Sequence, residues 1–162
     1  DYLNVSAHTI MHQEFCKIFS RFVEENNIKE NEFGLEITET AELEDTKKAG
    51  ESLERLKKRG IKIALDDFGA GYASLKYIRD LPIDVVKLDR HFTSNISDPS
   101  TSRLVKFVSD VCAELNLEMI GEGIETEKEK NMMIELGCVT GQGFLMHMPS
   151  FIEDIKKENN DG

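Results

Sequence analysis

Positive charge is scarce in this chain. Its 162 residues carry 20 Lys and Arg against 31 Asp and Glu, a formal net charge of −11. The deficit argues against a broad basic face, and so against binding polymeric nucleic acid. A phosphate ester as substrate would have to be met by metal ions and a few placed lysines. Cysteine is also sparse. Cys16, Cys112 and Cys138 are odd in number, far apart and without a Cys-x-x-Cys pair. They read as small buried apolar residues of a reducing, cytoplasmic compartment. No apolar run approaches membrane-spanning length and no signal peptide is recognisable, so no membrane contact is expected from this segment. Linkers and low-complexity stretches are missing too, and residues 1–162 are read as a single domain.

Hydrophobic content of 40% and charged content of 31% suit one domain with a sizeable core. Tyr2 to Val5 is a short extended segment, and because the chain opens on it the numbering is expected to begin inside a longer protein. Ile10, Met11, Phe15, Ile18, Phe19, Phe22 and Val23 then recur at helical spacing up to Asn26-Asn27. Further strands are predicted over Phe33 to Thr38, Ile61 to Asp66, Asp84 to Asp89, Leu117 to Gly121 and Val139 to Met146. Between them lie helices over Lys47 to Arg59, Ser74 to Leu81, Leu104 to Leu115 and Glu127 to Leu136, three of them stopped by Gly60, Pro82 and Gly137. Phe107, Val111 and Leu115 are read as the core face of their helix. His8 and His12, four apart with no third ligand nearby, are read as helix surface. A short amphipathic tail follows from Phe151 to Lys157.

The most informative stretch is Leu65-Asp66-Asp67-Phe68-Gly69-Ala70-Gly71. An apolar run (Ile61, Ile63, Leu65) ends in two adjacent carboxylates, which repel each other unless a cation or proton sits between them. A hard divalent metal meets that need, since Asp oxygens suit Mg²⁺, Ca²⁺ or Mn²⁺. Gly69 and Gly71 open conformations closed to other residues, so the loop could fold over a bound group. The structural alternative is a pair of helix N-caps. Lys87 interrupts the apolar run Val85-Val86-Lys87-Leu88 and is expected to point inward. Such a lysine is rare unless paired, and Glu122 or Asp89 could pair with it.

Strands and helices alternate, which means parallel strands joined by crossover helices. Asn4, Glu36, Asp66, Lys87, Glu122 and Gln142 each lie at or near the C-terminal end of a different predicted strand. An open sheet would gather such groups at one switch point, whereas a barrel mouth draws one from every strand. A complete (β/α)₈ barrel has eight strands and typically ~250 residues. The expected fold is therefore α/β, a TIM-type (β/α) barrel that is incomplete here, with about six of the eight strands.

These motifs, taken together, resemble the EAL-domain phosphodiesterases that hydrolyse cyclic di-GMP. The resemblance runs along the whole chain. It rests on Asn4-Val5-Ser6-Ala7, Leu35-Glu36-Ile37-Thr38-Glu39-Thr40, Asp66-Asp67-Phe68-Gly69-Ala70-Gly71-Tyr72-Ala73-Ser74-Leu75, Lys87-Leu88-Asp89, Glu122-Gly123-Ile124-Glu125-Thr126, and Gln142-Gly143 with Pro149. The family's N-terminal portion, with its Glu-x-Leu glutamate, has no counterpart here. Smaller departures are Gly121, where alanine is usual, and Gly141 before the glutamine.

By resemblance, Asn4, Glu36, Asp66, Asp67 and Glu122 are ligands of two divalent cations, Mg²⁺ or Mn²⁺, with Asp66 bridging the two. A turn cap is the competing role for Asn4. Glu122 lies near the attacking water, which Lys87 orients. Glu39 anchors the glycine loop, and Gln142, Asp89 and Glu125 act at the substrate or behind the ligands. The implied reaction is hydrolysis of cyclic di-GMP to linear pGpG. A non-catalytic module that binds cyclic di-GMP or a protein is the alternative function. An aldolase using Lys87 as a Schiff base would leave the acidic pair unexplained. Lacking one carboxylate of its site, the isolated chain is expected to hold metal weakly. Its open strand edges, with Leu3, Val5, Phe144 and Met146 facing absent strands, lead to the expectation of a homodimer or edge-paired oligomer.

Overall fold

The computed structural model describes residues 2–29, 33–38, 45–70 and 74–145. Its frame is a sheet of six parallel strands in sequential order: β1 (Tyr2–Asn4), β2 (Gly34–Thr38), β3 (Lys62–Phe68), β4 (Val85–Leu88), β5 (Glu118–Gly121) and β6 (Thr140–Gly141). Pairing each strand with the next in the chain requires a crossover back to the starting end, and helices make those crossovers. They are α1 (Ala7–Met11), α2 (Gln13–Glu25), α3 (Thr46–Lys57), α4 (Ser74–Asp80), α5 (Arg90–Ser94), α6 (Pro99–Glu114) and α7 (Glu127–Glu135). The fold is the expected α/β class. The sheet does not close: among the described residues, β1 and β6 each have a single neighbour.

Alternation along the strands sorts the side chains into two populations. Leu35, Ile37, Ile63, Leu65, Val86 and Leu88 face the helices and join one large core with Leu53, Leu56 and Val105. The other face is narrow. It carries Ala64, Val85 and Ile120, packed with Tyr2, and one step further along each strand it turns polar at Glu36, Asp66, Lys87 and Glu122. The chain therefore packs a helix-covered outer face and leaves its inner face for a charged end.

Local chemistry sets the helix boundaries. Asp45 accepts the Lys48 N–H to start α3, and Asp98 accepts those of Ser100 and Thr101 to start α6, with Pro99 in the first turn. Thr126 and Glu129 form a reciprocal capping box on α7.

Four sequence expectations differ from the structure. The helix from Ile10 to Asn27 is two helices, because His12 is extended (φ −80°, ψ 118°) and caps both. The last strand is only two residues long, and Met146, Pro149 and the tail from Phe151 lie outside the described residues. Val5, expected to face absent strands, is buried and donates its N–H to the Glu36 carbonyl. The core face of α6 differs from Phe107, Val111 and Leu115: Val105, Val108, Ser109 and Cys112 are buried, Val111 is half-buried, and Phe107, Leu115 and the neighbouring Leu104 are more than half exposed. Helical periodicity gives two apolar stripes on this helix, and spacing cannot say which one meets the sheet.

That correction is measurable by urea unfolding in dilute solution. Val105→Ala is expected to cost about 2 kcal/mol through the cavity it leaves. Phe107→Ala, which removes a larger side chain from the exposed stripe, should stay within about 0.5 kcal/mol of the parent.

Candidate active site

Each charged residue of the inner face is delivered by the end of a different strand. Glu36 comes from β2, Asp66 and Asp67 from β3, Lys87 from β4, and Glu122 directly follows β5. Lys87 is the hub. Its ammonium lies 2.6 Å from Glu122 Oε1, 2.8 Å from Glu36 Oε1 and 3.0 Å from Asp66 Oδ1, with the side chain only 7% exposed. Gln142, just past β6, donates from Nε2 to the same Glu122 Oε1 at 2.5 Å. Both partnerships considered for Lys87 concerned Glu122 and Asp89; the first is present, and Glu36 and Asp66 join it. Asp89 instead caps α5, accepting the His91 N–H at 2.8 Å.

Adjacent residues of a regular strand point to opposite faces, so Asp66 and Asp67 should not share a site. The strand solves this with a bulge. Its register against β4 shifts between Leu65 and Phe68, and Asp67 takes a left-handed backbone, φ +55°. Asp is among the few residues that tolerate that conformation. As a result, oxygens of Asp66, Asp67 and Glu122 all lie within 4.8 Å of one another. The acidic pair thus sits inside a strand that continues to Phe68, and the bulge is the feature that sequence reasoning missed.

The electrostatics are unbalanced: three carboxylates pair with one ammonium, and a fourth, Asp67, stands beside two of them. Burial alone would lower the pKa of Lys87, but Glu122, Glu36 and Asp66 override it and raise the value, so the side chain stays protonated. Burial raises the pKa of Glu122, against the pull of Lys87 and with help from Asp66 and Asp67. Burial also raises that of Asp67, together with the charges of Asp66 and Asp89. Asp66 Oδ1 is buried and makes no hydrogen bond of good geometry, although the ammonium stands beside it. A buried carboxylate oxygen whose near cation is shared with two other carboxylates, excess negative charge and three oxygens at ligand-shell spacing fit a hard divalent cation.

Asn4 ends β1 in register with Glu36, its side chain exposed. Glu125 lines a groove of about 340 Å³ with Arg90, Glu122, Gln142 and the exposed Phe144. Nothing in the sequence pattern points to Arg90, and Phe144 is marked there only as facing an absent strand. Gly143 lets this groove form: a Cβ there would come within 2.3 Å of the Ile124 backbone. Gly69, expected in a loop able to fold over a bound group, has φ +96° and lies where a Cβ would strike the Phe92 ring, so close packing also demands glycine. Glu39 and Gly71 lie outside the described residues. His8 and His12 are exposed and belong to no cluster of three potential metal ligands among the described residues. The cysteines are buried as expected, and burial pushes the Cys112 and Cys138 thiols up to about 11.

The raised pKa of Asp67 has a definite sign. A carboxyl whose folded-state pKa lies above its unfolded one favours folding while it is protonated, and that benefit is lost as pH rises through the folded value. Asp67→Asn keeps a residue that accepts the left-handed backbone and removes the charge. In metal-free buffer the substitution should raise the urea midpoint at pH 7. At a pH below the ordinary carboxylate range the two proteins should unfold alike.

Comparison with known proteins agrees with this geometry. A family model described as the EAL domain matches residues 2–149. A cyclic di-GMP phosphodiesterase of Pseudomonas aeruginosa is 33% identical over 155 residues, covering 95% of this chain and 26% of the relative. The chain thus spans about a quarter of that relative's length. The EAL domain of Mycobacterium smegmatis DcpA superposes with a TM-score of 0.92 at 29% identity, over 99% of this chain and 73% of that one. The PaMucR phosphodiesterase in complex with c-di-GMP gives 0.85 at 31% identity, over 95% and 63%. A manganese and cyclic di-GMP complex of Klebsiella pneumoniae BlrP1 gives 0.81 at 25% identity, over 89% and 37%. With its strands in the same TIM-type arrangement and the family model matched almost end to end, the chain belongs to the EAL domain family.

Proposed function

We propose that this chain is the metal-binding part of a phosphodiesterase that hydrolyses cyclic di-GMP to linear pGpG. The observation that carries the proposal is the excess of carboxylates around one buried ammonium at the mouth of the sheet. Glu36, Asp66, Asp67 and Glu122 would hold two divalent cations, magnesium or manganese, with Asn4 adding an amide oxygen beside Glu36. Such a pair of cations supplies Lewis acidity toward the phosphodiester and lowers the pKa of water.

The protein's own groups have separate tasks. Lys87 is held as an ammonium, so it acts by hydrogen bonding and charge toward the attacking water and is no base. Glu122, whose pKa is raised, is the better-matched acceptor for the water proton, and Gln142 fixes its orientation. Water adds to phosphorus, the bond to the 3′ oxygen breaks, and the leaving oxygen takes up a proton. The groove beside Arg90 and Phe144 gives the substrate room next to these groups. Glu125, in the lining of that groove, is proposed to act at the substrate, with Asp89 behind it. Glu39 is proposed as the anchor of the loop containing Gly69 and Gly71.

Residues 1–162 are proposed to form one EAL-like domain of a longer, cytoplasmic protein. Among the described residues no helix is long and apolar enough to cross a membrane. Pairing of two copies through the open strand edges remains the proposed assembly, supported by the exposure of Leu3 and Phe144.

Asp66→Asn in the full-length parent tests the function. It neutralises a buried carboxylate that shares the Lys87 ammonium with Glu36 and Glu122. Turnover of labelled cyclic di-GMP with Mn²⁺ should fall by roughly 10²–10³-fold or more, with the circular-dichroism spectrum unchanged. Full turnover by the variant would reject the assignment. A parent that binds cyclic di-GMP without converting it would favour the non-catalytic module.

A further inference from the structure

The outer surface holds a second charged feature, opposite in sign to the mouth. A cleft of about 740 Å³ lies between α2 and α3. Among the described residues, Lys17, Arg21, Arg55, Lys58 and Arg59 line it, five of the chain's 20 basic residues, against a single carboxylate, Glu24. In a chain of net charge −11 an arbitrary surface hollow should show the reverse balance. The cleft therefore inverts the sign of the molecule locally.

Two of the five cations are paired: Lys17 with Glu14 and Arg59 with Glu24. Arg21, Arg55 and Lys58 have no ion-pair partner among the described residues. Elsewhere the protein places carboxylates against its lysines, as in Lys57 with Asp84 and Lys62 with Glu118. Cations in the final turn of a helix complement its dipole, which accounts for Arg55. It does not account for Lys17 and Arg21, which stand outside the final turn of α2.

We infer that this cleft is a binding site for a multiply charged phosphate anion carrying two or more linked phosphoryl groups. Arg21 and Arg55 supply planar forks that match phosphoryl oxygens two at a time, and Lys58 adds a point charge. The remaining described lining residues, Cys16 and Ser20, are small, and among the described residues no aromatic ring borders the cleft. The site thus selects phosphoryl charge and leaves the body of the ligand unread. An acidic polypeptide is expected to find apolar anchors beside the cations, and the described lining residues provide none. Because α2 and α3 run back toward the N-terminal ends of β2 and β3, the turns bearing Glu24, Arg55 and Arg59 lie away from the acidic mouth. Occupancy of the cleft leaves the mouth free.

The test is isothermal titration of the chain with inorganic tripolyphosphate in metal-free buffer. Saturable binding is expected, weakening steeply as salt rises. Sulfate at matched ionic strength should bind at least tenfold more weakly. Arg21→Ala with Arg55→Ala should lower affinity at least tenfold; both positions are exposed on helices, where alanine is well tolerated. Arg21→Lys with Arg55→Lys keeps the charge but loses the fork, and should lie between. Glu36→Gln, at the mouth, should bind tripolyphosphate as the parent does, which separates this site from the proposed catalytic one. Equal binding by the parent and the double-alanine protein would overturn the inference. So would sulfate binding as tightly as tripolyphosphate, or a hexaglutamate peptide binding more tightly than either.

Discussion

A single buried ammonium holds the charged end of this protein together. Lys87 lies between Val86 and Leu88, both packed into the main core, so its own direction is set by the alternation of β4. Removing a charge from water costs several kcal/mol, and only close, well-placed partners return it. Glu36, Asp66 and Glu122 converge from three other segments to provide them. The same lysine therefore ties β2, β3, β4 and the end of β5 into one register. Once those partners are assembled the balance overshoots. The carboxylates outnumber the ammonium, and what satisfies the lysine leaves the site wanting further positive charge.

That overshoot links folding to chemistry. A lone buried lysine would need one carboxylate, and the fold supplies an excess. The bulge at Asp66-Asp67 adds to it at the expense of regular pairing with β4. Backbone irregularity inside a buried parallel strand is kept when it re-aims a side chain. Here it turns two consecutive carboxylates toward Glu122, which regular alternation would prevent. Gly143, approaching the Ile124 backbone too closely for any side chain, shapes the neighbouring groove in the same spirit.

Much of this was legible from residues alone, for identifiable reasons. Parallel β/α order follows from alternating periods, and a polar group at each strand end marks a mouth. Lys87, Glu36, Asp66 and Glu122 could be placed together because each interrupts or ends an apolar run. The bulge was not legible, since Asp-Asp reads equally as a strand tip or as a pair of caps. The face of α6 was not legible either, because Leu104, Phe107 and Leu115 have the same spacing as a core stripe. Asp89 shows a third limit: nothing in the residue pattern announces that its carboxylate also starts α5, a helix too short to show periodicity.

The account turns on the excess carboxylates being a divalent-cation site. The most direct measurement is the melting temperature of the chain titrated with Mn²⁺, for the parent and for Glu122→Gln. A cation held only by the folded protein raises the melting temperature with saturation. The parent is predicted to show that rise and Glu122→Gln to lose most of it. A melting temperature indifferent to Mn²⁺, or an equal rise in both proteins, would contradict the account.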